Sequence, residues 1–86
     1  MIYLILIQLI HLNLSNFETK NVTNMRSLFY ECKKLKNLDI SNFETCKVKN
    51  MKSMFCGCEN LINLNLSNFN TQNVNSLSQM FYDCKI

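Results

Sequence analysis

The hydrophobic residues of the chain change period once within a short stretch. Leu38 and Ile40 alternate with Asn37 and Asp39, which predicts a short strand with its aliphatic side chains on one face and its polar ones on the other. Ser41-Asn42 follows with turn chemistry, since both side chains compete for backbone hydrogen bonds. From Val48 the apolar positions fall at 48, 51, 54, 55 and 58, a spacing that predicts a short helix or 3₁₀ segment.

The same succession recurs at a fixed interval. Leu12-Asn-Leu-Ser-Asn-Phe17, Leu38-Asp-Ile-Ser-Asn-Phe43 and Leu64-Asn-Leu-Ser-Asn-Phe69 are separated by 26 residues each. The register holds through Thr19, Thr45 and Thr71, through Val22, Val48 and Val74, and through Met25, Met51 and Leu77. It continues through Leu28, Met54 and Met80, through Phe29, Phe55 and Phe81, and ends on Cys32, Cys58 and Cys84. One such unit cannot bury its own strand face, whereas stacked units share a continuous core. The expected architecture is therefore an α/β repeat solenoid, with a short parallel sheet on one face and short helical segments on the other. Its units are repeat 1 at 12–37, repeat 2 at 38–63 and a truncated repeat 3 at 64–86, in an array expected to be a fragment of a longer protein. Carried backwards, the register places Tyr3 on the Phe29 column, Leu6 on the Cys32 column and Leu9 on the Leu35 column. Residues 1–11 thus read as the end of a degenerate preceding repeat. That reading accounts for the apolar run from Met1 to Ile10, which is too short to span a bilayer, is interrupted by Gln8 and lacks the basic start and cleavage site of a signal peptide. No direct membrane insertion is expected.

Composition adds detail. The chain has one glycine and no proline, and its 14 asparagines supply the turns, because asparagine tolerates left-handed backbone. The formal charge of +3 is modest and the basic residues are spread along the sequence, with Lys33, Lys34 and Lys36 the only tight group, so no nucleic-acid partner is predicted. Five cysteines in a short chain would suggest a disulfide framework, but three of them form the Cys32/Cys58/Cys84 column. Side chains stacked in one direction cannot all pair, and free cysteine buries readily, so a reduced buried ladder is expected. Cys56-Gly57-Cys58 lacks the usual zinc spacing, and Tyr30 and Tyr82 occupy the positions equivalent to Cys56; no metal and no cofactor is predicted. Cys46 aligns with Lys20 and Gln72 and is expected on an exposed loop as the one plausible reactive thiol.

The only histidine, His11, aligns with Asn37 and Asn63 on the outward strand face, beside Asn13, Asp39 and Asn65. Neither a nucleophile nor a second carboxylate accompanies it, so no catalytic residue is assigned and the chain is expected not to be an enzyme. These six residues form the candidate partner-binding face. Two readings of it stand together: a surface for a protein ligand, and a hydrated face that keeps the sheet soluble. Met25, Met51, Met54 and Met80 share their register with the phenylalanine column and are expected in the core. Of the three Asn-x-Ser/Thr sequences, those at Asn13 and Asn65 arise from the repeat itself, and the third lies at Asn21.

The unit that runs from Leu38 to Cys58, repeated at Leu12–Cys32 and Leu64–Cys84, resembles the BspA-like leucine-rich repeat surface proteins in their 26-residue variant. The resemblance covers essentially the whole chain. It implies a leucine-rich-repeat solenoid, a cell-surface or extracellular location, and a non-catalytic role in protein binding or adhesion through an Asn-rich concave strand face. The alternative is that the repeats are structural spacers of a larger protein whose active domain lies elsewhere. Neither end carries a recognisable polar cap, so end-to-end self-association through uncapped repeat ends is also expected.

Overall fold

Phe29, Phe55 and Phe81 lie in a stack. Their ring centroids are 5.5 and 5.6 Å apart, and the ring planes are tilted by 9° and 5°. The stack follows the spacing of successive turns of chain in the computed structural model, which describes residues 11–85. Three turns of chain, here called coils and bounded as the sequence units above, are laid over one another in parallel.

The sheet is short. Strands β1 (His11–Asn13), β2 (Asn37–Asp39) and β3 (Asn63–Leu64) pair in chain order, each parallel to the next. His11 pairs with Asn37 and Asn37 with Asn63, so the ladder keeps the 26-residue interval of the sequence. Further isolated parallel bridges join Asn24 to Asn50 and Asn50 to Ser76.

The leucine-rich-repeat solenoid with helical segments on its far face is not what the chain forms. Among the described residues there is no helix, the strands are two or three residues long, and the body is compact, with extents of 30 × 27 × 26 Å. The physical reason lies in the spacing. An α-helix with its side chains is roughly 10–12 Å across, twice the distance between successive coils. The segment with helical apolar spacing instead makes consecutive turns. Leu28, Tyr30 and Cys32 donate back to the carbonyls of Met25, Ser27 and Phe29. The alternate residues Met25, Ser27, Phe29 and Glu31 donate across to Asn50, Lys52, Met54 and Cys56 of the next coil, at 2.7–2.9 Å. The second coil repeats the arrangement from Met51, Ser53, Phe55 and Gly57 to Ser76, Ser78, Met80 and Tyr82. A helix would consume all of these N–H groups internally.

Such turns need left-handed residues at intervals of four. Ser27 and Glu31, Ser53 and Gly57, and Gln79 and Asp83 all have positive φ, between 55° and 81°. A Cβ at Gly57 would displace the flexible end of the Glu31 side chain. In the third coil the equivalent donors, the N–H groups of Leu77, Gln79, Phe81 and Asp83, find no acceptor among the described residues.

Side chains fasten the coils where the strands end. The Asn42 Nδ2 donates to the Leu14 and Phe17 carbonyls of the coil before it, both at 2.9 Å, while its Oδ1 is buried without a partner among the described residues. Asn68 does the same to Ser41 and Phe43 at 2.9 Å. The Thr19 hydroxyl donates to the Glu44 carbonyl and accepts from the Glu44 N–H, and Thr45 treats Asn70 likewise. Thr19 and Thr45 are buried, so each hydroxyl replaces water for two backbone groups at once. The core between these fastenings holds Met25, Met51, Met54, Met80, Phe29 and Phe55 with Leu35, Leu38, Ile40, Val48 and Leu61, as the column reading expects of the methionines. The expectation about residues 1–10, including Tyr3, Leu6 and Leu9, falls outside the described residues.

Thr45 provides a direct test of this fastening. Thr45→Val removes a buried donor and acceptor and is expected to cost roughly 1–3 kcal/mol in denaturant unfolding. Thr71→Val, at an exposed position of the third coil, is expected to change stability by less than about 0.5 kcal/mol.

Candidate functional site

The candidate face is built by the pleat of β2 and β3, which turns Leu38 into the core and leaves the flanking polar residues outside. Parallel register sets Asn37 beside Asn63, and the Asn63 Nδ2 donates to the Asn37 Oδ1 in a side-chain amide ladder. The second polar row behaves differently. The Asp39 carboxylate accepts from the Ser41 hydroxyl at 2.7 Å and from the Ser41 N–H at 3.1 Å. Asn65 likewise accepts from the Ser67 N–H at 2.9 Å. These two side chains stabilise the turn that follows the strand, each through its Oδ1. His11 and Asn13 lie on β1 in register with Asn37 and Asp39, while their side chains fall outside the described residues. Of the six candidates, Asn37 and Asn63 are thus brought together, and Asp39 and Asn65 are directed into local turns.

The hydrogen bond from the Ser41 hydroxyl, and then that from its N–H, hold the Asp39 carboxyl below its usual range. A carboxyl depressed in the folded state adds stability above its unfolded value of 3.8, and that stability disappears as pH falls through the folded value. Asp39→Asn is therefore expected to lower the neutral plateau slightly, to match the parent in strong acid, and so to flatten the fall in stability below about pH 4. Urea midpoints measured across that range check it.

All five cysteines are free. Cys32 and Cys58 are fully buried and Cys84 is half-buried, with the Cys58 thiol donating to the Phe29 carbonyl at 3.1 Å. The contact between Cys32 and Cys58, and then burial, drive the Cys58 thiol far above the ordinary thiol range, while the same contact lowers Cys32. Cys56 is raised by burial first and then by the Glu31 and Asp83 carboxylates. Cys46 is exposed, as expected, at the rim of an open groove between the second and third coils. Glu44, Thr45, Asn68 and Asn70 line that groove, whose volume is about 370 Å³. Among the described residues no group of three or more metal-ligating side chains comes together. In a thiol-reagent time course Cys46 is expected to react first and Cys84 more slowly, with Cys32, Cys56 and Cys58 reacting only on unfolding. Cys46→Ser should remove the fast phase and nothing else.

Folding also gathers charges that the linear sequence scatters. Coil stacking sets the segment from Lys20 to Arg26 against that from Lys47 to Lys52: the Lys49 N–H donates to the Thr23 carbonyl at 2.7 Å, and the Lys47 Nζ to the Asn21 Oδ1 at 3.0 Å. Lys20, Arg26, Lys47, Lys49 and Lys52 consequently stand on two paired segments of neighbouring coils, a flank bordered by Glu18 and Glu44. Neither the 20–30 nor the 46–56 stretch contains a carboxylate. Reading charge along the sequence singles out Lys33, Lys34 and Lys36 and misses this flank. Reading it down columns of 26 finds it only in part: Arg26 and Lys52 share a column, whereas Lys20, Lys47 and Lys49 each align with uncharged residues.

The family whose profile matches residues 6–86 is described as a Mycoplasma protein of unknown function, DUF285, and the chain belongs to that family. No curated protein and no solved structure matches it. Among the described residues no helix is long and apolar enough to cross a membrane.

Proposed function

We propose that the chain is a non-catalytic protein-binding or adhesion module of a BspA-like cell-surface protein, and that its strand face is the contact surface. The observation that carries this reading is the amide ladder from Asn37 to Asn63. Parallel backbone register fixes two side-chain amides side by side, while Asp39 and Asn65 stiffen the turn beyond them. A row of donors and acceptors held this way loses little conformational entropy on meeting a partner. Membership of DUF285, a family associated with BspA-like repeat surface proteins, supports the surface location.

The experiment is a binding screen of the full chain against a panel of immobilised extracellular-matrix proteins. Asn37→Ala with Asn63→Ala is expected to weaken any detected interaction by about ten-fold, the loss of two hydrogen bonds at a partly desolvated contact. Undiminished affinity in that double variant for every protein bound would reject the strand face as the contact. Self-association belongs to the same reading. Leu77 and Phe81 are exposed beside the row of third-coil N–H donors that find no acceptor among the described residues. Two such edges offer donors to donors, so copies would associate head to tail, and light scattering should show mass rising with concentration.

A further inference from the structure

The basic flank described above goes beyond the proposed strand-face function, and we infer that it is a binding site for a linear sulfated polysaccharide. The charge distribution is the first ground. The chain carries nine cations and six carboxylates, and five of the cations stand on this one flank. Glu18 and Glu44 border the flank, and the other four carboxylates equal the four remaining cations in number. Among the described residues the single ion pair joins Lys33 to Glu31, away from the flank, so none of the five has its charge met within the protein. Lys20, Arg26, Lys47 and Lys49 are exposed and Lys52 is half-buried.

What surrounds the cations narrows the kind of polyanion. The large exposed hydrophobic residues are Phe17, Ile62, Leu77, Phe81 and Tyr82, and none falls within the 20–27 or 46–53 stretches. A membrane surface therefore finds no side chain to insert beside the charges. A folded acidic protein finds no aromatic anchor for the centre of an interface. Single-stranded nucleic acid finds no exposed ring within those stretches on which a base could stack, Phe17 standing three residues before Lys20. The groups interspersed with the cations are small and polar: Asn21, Thr23 and Asn24 are exposed alongside Lys20 and Arg26. Amides and a hydroxyl among ammonium groups suit a ligand that alternates sulfate with sugar hydroxyl, and four of the five cations are lysines, whose mobile point charges do not demand a fixed bidentate geometry. The third coil does not extend the flank, because Gln72, Asn73, Asn75 and Ser78 replace Lys20, Lys47, Lys49 and the Arg26/Lys52 column. The site is accordingly two coils deep.

The test uses the full chain and a heparin oligosaccharide as the probe, by calorimetry or by elution from an immobilised column. Two variants remove the same number of charges: Lys20→Gln/Lys47→Gln/Lys49→Gln on the flank, and Lys33→Gln/Lys34→Gln/Lys36→Gln elsewhere. All six positions are exposed, and thermal melts should match the parent. The flank variant is expected to bind heparin about ten-fold more weakly or worse, with the slope of log K against log salt flattened by roughly one unit per cation removed. The other variant is expected to change affinity by less than about two-fold, since charges more than a Debye length from the contact are screened. Equal losses in both variants would reduce the effect to net charge and overturn the site. So would absence of heparin binding at low salt, or equal or tighter binding of duplex DNA or of phosphatidylserine vesicles at the same ionic strength. Asn37→Ala with Asn63→Ala should leave heparin affinity unchanged, so this inference and the strand-face function stand or fall separately.

Discussion

The row of backbone hydrogen bonds that crosses from each coil to the next is the constraint on which the rest of the molecule depends. Between residues 25 and 31, and again between 51 and 57, every second N–H leaves its own coil and every other one stays within it. That division permits coils to approach to the 5.5 Å seen between stacked phenylalanines. It also explains why left-handed residues recur at intervals of four, and why polar residues such as Ser27, Glu31 and Gln79 accept that conformation. Each non-glycine residue held there costs on the order of 1 kcal/mol. The cost is offset by bonds from backbone groups that would otherwise be buried unpaired.

Side chains complete what the backbone begins. At Asn42, Asn68, Thr19 and Thr45, a side chain of one coil satisfies backbone groups of its neighbour, so the turns after the strands are cross-linked without glycine or proline. The phenylalanine stack and the buried methionines fill the space between these cross-links. Polar and apolar rows therefore perform the same task on different sides of each coil, and both derive their effect from the identity of residues 26 positions apart.

Much of this was legible in the sequence as columns, and little of it as secondary structure. The alignment of Phe29 with Phe55 and Phe81, and of Met25 with Met51, identified core residues that the structure buries at Phe29, Phe55, Met25 and Met51. The strands fell where Leu38 alternates with Asn37 and Asp39. The helix failed because spacings of three and four describe consecutive turns as well as they describe a helix, and the left-handed positions at Ser27 and Ser53 carry no glycine to mark them. The threonine column was visible but mute, since nothing in one sequence says that a hydroxyl reaches the adjacent coil. On the candidate face, the outward direction of Asn37 and Asn63 could be read from alternation. The capture of Asp39 by Ser41 depends on turn geometry that alternation does not encode.

The uniform interval between bonded partners bears on how such a gene can change length. Nearly every cross-coil contact joins residues 25 to 28 apart, from Met25 with Asn50 to Asn68 with Ile40. Duplicating or excising 26 codons in frame therefore returns every surviving coil to an equivalent neighbour, with its threonine, asparagine and phenylalanine rows rejoined. Gaining or losing a single codon within a coil displaces all of those rows together. Copy number is thus a soft variable for this architecture and unit length a hard one.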